Sequence, residues 1–133
     1  MTQYVDSSAL LKRYLREPDS DRAAELLGLD AELVTGRHTL VEVRRSLARA
    51  LSGTALTDAR AQLATDVASF NLVELDAATC ELAATIAEQT EVRSLDALHL
   101  GAARRLGTEL TFLTFDIRQA DAARSLGFRT AGI

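Results

Sequence analysis

Short apolar runs alternate along the chain with longer stretches in which apolar residues return at helical spacing. The runs are Gln3–Val5, Glu32–Thr35, Leu72–Leu75, Leu110–Phe115 and Phe128–Ala131. They read as strands, and ELTFLTF is the clearest because it is rich in β-formers. Between them the spacing predicts helices. Ser7 or Ser8 caps a first helix to about Leu15, which Pro18 ends because it lacks a backbone N–H. Asp19–Leu27 is a second, stopped near Gly28. His38–Leu51 carries Leu40, Val43, Leu47 and Leu51 on one face, with Gly53 as its stop. Thr57 or Asp58 caps a fourth helix to about Ser69, and Asp76 a fifth to about Gln89. Ser94 caps a sixth ending at Gly107, and Ile117–Leu126 is the last, stopped at Gly127.

Strands separated by helices need crossover connections, and crossovers make a parallel sheet covered on both faces. The expected class is α/β. No repeat, low-complexity stretch or linker interrupts the pattern, so residues 1–133 are expected to form one domain.

Composition narrows the field. The 133 residues are 47% hydrophobic and 26% charged, as in ordinary globular proteins. Cys80 is the sole cysteine, which excludes an internal disulfide or a Cys-rich zinc site and agrees with a reducing, cytoplasmic setting. It is expected to be buried filler in its helix. The start of the chain has no secretory pattern, and no apolar run approaches the ~18 residues of a membrane span, so no membrane association is expected. The net charge of −4 argues against a generic, charge-driven nucleic-acid binder. It leaves room for an enzyme whose acids are masked by a cation. Lys12 is the only lysine, so the positive charge is arginine.

Parallel sheets bind ligands outside the carboxyl ends of their strands. Asp6 follows the first strand and Asp116 follows TFLTF, each where a strand yields to a helix. Alone, either is equally a helix cap or dipole partner, worth about 0.3–1 kcal/mol. Asp96 is more telling. It falls beside Leu100 and Ala103 on its helix, and a carboxylate there is costly unless it meets a cation or donors. Glu42 lies off the Leu40–Val43–Leu47 stripe with Arg45 three residues on, so periodicity places it on a solvated face. His38 and His99 read as satisfied core histidines or as groups behind the acids.

Four segments together resemble the PIN-domain family, most closely its VapC ribonuclease toxins: YVDSSALLKRYLRE, TLVEVRRSLARAL, SLDALHLGAA and TFLTFDIRQADAARSLGF. Their order and spacing match from residue 4 to about 128. The resemblance implies a three-layer α/β/α fold around a parallel sheet of about four to five strands. It also implies an acidic site made of Asp6, Glu42, Asp96 and Asp116, which overrides the periodicity reading of Glu42. Ser7 and Thr114 match the hydroxyl positions that accompany these acids, and for Ser7 capping is the alternative. The partners implied are an RNA substrate, a VapB-like antitoxin across the acidic cleft, and a second copy in a homodimer.

Crowded carboxylates repel, and a hard divalent cation with oxygen ligands resolves the conflict; Mg²⁺ fits, and Mn²⁺ accepts similar ligands. The expected chemistry is metal-assisted hydrolysis of RNA. Arg44, Arg45, Arg49 and the Arg104–Arg105 pair are candidates for gripping phosphates, with a solvated face as the alternative. A phosphoryl-acceptor domain would need a lysine late in the chain, and a haloacid-dehalogenase-type phosphatase would need D-x-D after the first strand; neither is present. A non-catalytic PIN-like scaffold for RNA or protein is the remaining alternative, and the apparently complete acid set weighs against it.

Overall fold

The computed structural model describes residues 1–30 and 32–133. Five strands are seen among them: β1 (Thr2–Val5), β2 (Glu32–Gly36), β3 (Asn71–Val73), β4 (Thr111–Thr114) and β5 (Arg129–Gly132). The seven helices are α1 (Ser7–Leu11), α2 (Ser20–Leu27), α3 (Thr39–Ala50), α4 (Gly53–Val67), α5 (Ala77–Gln89), α6 (Ser94–Arg104) and α7 (Ile117–Ser125). The sheet order is β3-β2-β1-β4-β5 and every pairing is parallel. The expected α/β class and three-layer arrangement are what the chain adopts.

The two faces of the sheet carry separate cores. On one, Tyr4, Phe112 and Phe128 pack with Ala97, Leu100 and Ile86. The Tyr4 and Phe112 rings stack with centroids 5.2 Å apart, which fixes β1 against β4. On the other, Val5, Leu10, Val43, Leu47 and Leu113 pack together. Helices α5 and α6 approach closely because Gly101 faces Ala83; a Cβ at Gly101 would lie 2.9 Å from the Ala83 nitrogen.

Several boundaries differ from expectation. Asp6, not Ser7 or Ser8, caps α1, and the helix ends at Leu11 instead of Leu15. Past Leu11 the chain tightens into short turns, with Arg13 N donating to Leu10 O and Tyr14 N to Leu11 O. Gly53 does not close α3. That helix stops where Leu51 turns extended, and Gly53, at φ 58°, opens α4 well before Thr57. The third strand sits at Asn71–Val73, earlier than Leu72–Leu75, because its partners are Val34–Gly36. Arg93 occupies the cap position expected of Ser94. Cys80 is exposed, not buried filler: Thr79, Ala83 and Ile86 form the buried side of α5 and leave Cys80 on the other.

Candidate active site

Asp6 ends the central strand and is itself buried, at 4% exposure. Its carboxylate is held by three donors. Ser8 Oγ donates to Oδ1 at 2.7 Å, the Ala9 amide to Oδ1 at 3.0 Å, and Thr114 Oγ1 to Oδ2 at 2.5 Å. Those two hydroxyls are in turn fixed by the β4–α7 turn: the Phe115 amide donates to Ser8 at 3.0 Å and the Asp116 amide to Thr114 at 3.1 Å. Thr114 thus ties the first strand's acid to the fourth strand's. Burial pushes the Asp6 carboxyl above the usual carboxylate range, and the facing charge of His99 and these donors offset it only in part. A carboxylate accepts about four hydrogen bonds, so Asp6 retains an open lone pair on Oδ2.

Glu42 is half-buried, on the first turn of α3. Its Oε1 accepts from Ser7 Oγ at 2.7 Å and lies 2.7 Å from His99 Nε2. Burial raises its carboxyl, but the hydrogen bond and charge of His99, with Ser7, outweigh it and leave Glu42 below its ordinary value. Among the described residues nothing donates to Oε2. The solvated-face reading of Glu42 is therefore corrected: its partners are Ser7 and His99, and Arg45 stands exposed. Ser7 serves Glu42 rather than capping.

His99 is buried on α6, with Nδ1 2.9 Å from the Tyr4 hydroxyl. The Gly36 amide donates to that hydroxyl at 2.9 Å, so the phenol's own proton is assigned to His99 Nδ1. The remaining proton of a neutral imidazole then sits on Nε2 and points at Glu42. His38 lies against His99, ring centroids 4.0 Å apart, and neither of its nitrogens has a hydrogen-bond partner among the described residues. Burial, then the charge of His99, takes His38 down to about 4 against the opposing pull of Glu42, so it is neutral at neutral pH.

Asp96, half-buried on the first turn of α6, meets no donor on its carboxylate among the described residues. Burial raises its carboxyl, and the charges of Asp116, Asp6 and Glu42 raise it further against the pull of His99. Asp96 thus feels the charges of the other three expected acids, but the one group of three acid or histidine donors whose ligand atoms all lie within 4.8 Å of one another among the described residues is His38, Glu42 and His99, not the acid set. Asp116, exposed, caps α7 by accepting from the Gln119 amide at 3.1 Å. Asp96 and Asp116 line a cleft of about 490 Å³ together with Arg93, Phe115 and Arg118.

Those two arginines escaped the sequence reading because neither lies in a cluster. Arg44, Arg45 and Arg49 are exposed on α3 and make no ion pair among the described residues. The Arg104–Arg105 pair is engaged elsewhere: Arg105 bonds Asp76 at 2.8 Å and Arg104 donates to the Leu126 carbonyl at 3.2 Å. Val41, Leu95 and Ile117, each next in sequence to one of the acids, are exposed apolar residues.

The donor chemistry suits a hard cation: an unfilled oxygen on Asp6, a free Glu42 Oε2 and an unsatisfied Asp96, whose ionisation burial and neighbouring acids already resist. No described helix is long and apolar enough to cross a membrane.

Comparison with known proteins bears on the fold and the family. The PIN domain family matches residues 3–125. The chain is 36% identical over 125 residues to Ribonuclease VapC46 of Mycobacterium tuberculosis, covering 93% of this chain and 92% of that one. The structure of VapC20 from Mycobacterium tuberculosis, described as a sarcin-ricin loop cleaving toxin, superposes with a TM-score of 0.75 at 19% identity over 98% of both chains. A DNA-bound VapBC from Salmonella typhimurium superposes with a TM-score of 0.71 at 17% identity, over 98% of this chain and 97% of that one. The chain therefore belongs to the PIN-domain family, as a VapC-type member.

Proposed function

We propose that this chain, as a single domain spanning residues 1–133, is a metal-dependent endoribonuclease and the toxin of a VapBC-type pair. The observation that carries the reading is that Asp6 and Asp116 follow the paired strands β1 and β4, with Thr114 bonded to the Asp6 carboxylate and the Asp116 amide, in a chain 36% identical to a VapC ribonuclease. Asp6, Glu42, Asp96 and Asp116 would hold Mg²⁺, with Mn²⁺ as an alternative. When bound, the cation supplies a water of lowered pKa and offsets charge on the phosphate oxygens. The chain's own residues prepare that site. Ser8 and Thr114 lock Asp6, while Ser7 and His99 lock Glu42, so neither carboxylate must be ordered when substrate arrives. One of the four carboxylates would also take up the proton of the attacking water. Arg93 and Arg118 at the cleft, with Arg44, Arg45 and Arg49 beyond it, are positioned to meet phosphates.

The substrate is RNA. The partner is a VapB-like antitoxin, and its seat is supported by the exposed Val41, Leu95 and Ile117 beside the acids: an apolar rim around an acidic floor suits a peptide with apolar anchors and a cation. A homodimer in the cytoplasm completes the reading. A non-catalytic scaffold is disfavoured because nothing in its work requires the full acid set. The test is cleavage of structured RNA by purified protein with Mg²⁺ or Mn²⁺. Changes in outer-shell groups alone cost metal sites ~10–100-fold, so Asp6→Asn and Asp96→Asn should each lose more than ~100-fold. Unchanged cleavage by both variants rejects the assignment.

A further inference from the structure

We infer that His38, Glu42 and His99 form a second cation site, selective for a borderline-soft transition metal such as Zn²⁺, whose occupation withdraws Glu42 from the acidic site. The three residues each offer a ligand atom within 4.8 Å of the others. His99 Nε2 stands 2.7 Å from Glu42 Oε1, and His38 Nε2 3.8 Å from the same oxygen. Ligands on a tetrahedral zinc at about 2.0–2.2 Å are ~3.3–3.5 Å apart, so small movements of these side chains enclose an ion. Two histidines and one glutamate are a known zinc donor set, whereas Mg²⁺ prefers oxygen throughout.

His38 is the second observation that points to a ligand. It is 93% buried, by its 7% exposure, and neither ring nitrogen makes a well-formed hydrogen bond among the described residues: the Leu95 backbone is its one backbone neighbour of note, and Glu42 Oε1 lies 3.8 Å from Nε2. Leaving such a group unsatisfied is costly, and nothing in the fold of the acidic site uses it. Its place depends on a glycine: a Cβ on Gly36 would lie 2.7 Å from the His38 ring. His99 accommodates the change by exchanging tautomers. Its Nδ1 proton then points to the Tyr4 hydroxyl 2.9 Å away, the usual partner geometry behind a metal-bound imidazole, and its Nε2 lone pair faces the ion. Glu42, 24% exposed in its side chain, is the route of entry from solvent.

The site rests on the proposed nuclease only for its effect on cleavage, not for binding. The test is a titration of the full chain with Zn²⁺, and with Co²⁺ as a coloured probe, in excess Mg²⁺. One equivalent should bind, with the visible absorption of a four- or five-coordinate Co²⁺. Affinity should fall at least ~10–100-fold in His38→Gln and persist in Asp96→Asn. In the unaltered protein, nitrogen NMR of the imidazoles should show both histidines taking ligand-type shifts with Zn²⁺, and His38, which bonds none of the acids, unmoved by Mg²⁺. This second measurement stands even if His38→Gln does not fold. Equal affinity in His38→Gln, greater loss in Asp96→Asn, or histidine signals that ignore Zn²⁺ would each overturn the inference. With Mn²⁺ and RNA, Zn²⁺ should inhibit the unaltered protein and spare His38→Gln. Histidine-dependent binding without any cleavage would leave this site standing and remove the nuclease; cleavage insensitive to Zn²⁺ would do the reverse.

Discussion

At the scale of single residues, the acids differ in what they cost the fold. Asp6 and Asp96 have carboxyls raised by burial, so the native state holds their protons more tightly than the unfolded chain. Their penalty is fully present above the raised values and is relieved as pH falls through them toward 3.8. Glu42 is shifted the other way. Its contribution is present above 4.5 and is lost as pH falls through its lowered value. In chelator, thermal stability should therefore rise from neutral pH into mild acid and fall again below about pH 4, read as melting temperature against pH. Asp6→Asn should flatten the rise and, near pH 7, melt roughly 2–6 °C higher if it removes ~1 kcal/mol of burial cost, while losing cleavage. Mg²⁺ should raise the melting temperature of the unaltered chain and leave that of Asp6→Asn nearly unmoved. Glu42 also marks where sequence reading runs out. A helical wheel tells which face a residue occupies, not what packs over the end of the helix, and here Ser7 from α1 and His99 from α6 cover it. Periodicity puts the residue on a solvated face, and its Ser7 and His99 partners correct that.

At the scale of elements, the strands and helices were legible because a parallel sheet repeats one simple pattern of short apolar runs and longer amphipathic stretches. Their ends were not. Gly53 looks like a helix stop from sequence, yet its positive φ serves the start of α4, three residues past the end of α3. Cys80 looks apolar enough to bury, but α5 turns Thr79, Ala83 and Ile86 inward. Such outcomes depend on which neighbour a helix meets, which the local pattern does not encode. The α5–α6 contact makes a further expectation. Alanine favours a helix interior over glycine by about 0.8–1.0 kcal/mol. At Gly101, however, the new Cβ would meet Ala83 backbone at 2.9 Å, and overpacking of that kind costs about 1–3 kcal/mol. Steric cost wins, and Gly101→Ala should lower stability to chemical denaturation by ~1–2 kcal/mol. Because α6 carries Asp96 and His99, cleavage should fall with it.

At the scale of the molecule, a chain of net charge −4 must attract a polyanion locally. On the proposed reading, the arginines at the cleft and on α3 would do so. For single strands each neutralised phosphate contributes about 0.7 to the slope of log affinity against log salt. Arg118→Ala should lower that slope by roughly this amount in RNA-binding titrations and weaken binding alike across sequences. Arg104→Ala, whose partner is the Leu126 carbonyl, should not change it. Strand order β3-β2-β1-β4-β5 places the first strand in the middle, with partners from both halves of the chain. Asp6 and Glu42 thus come from the segment before the exposed Ala68–Ser69 turn, and Asp96 and Asp116 from the segment after it. A protein severed at that turn would give two fragments with half of the proposed acid set each. Neither should poison a cell by itself, and lethality would report whether the pieces had found one another.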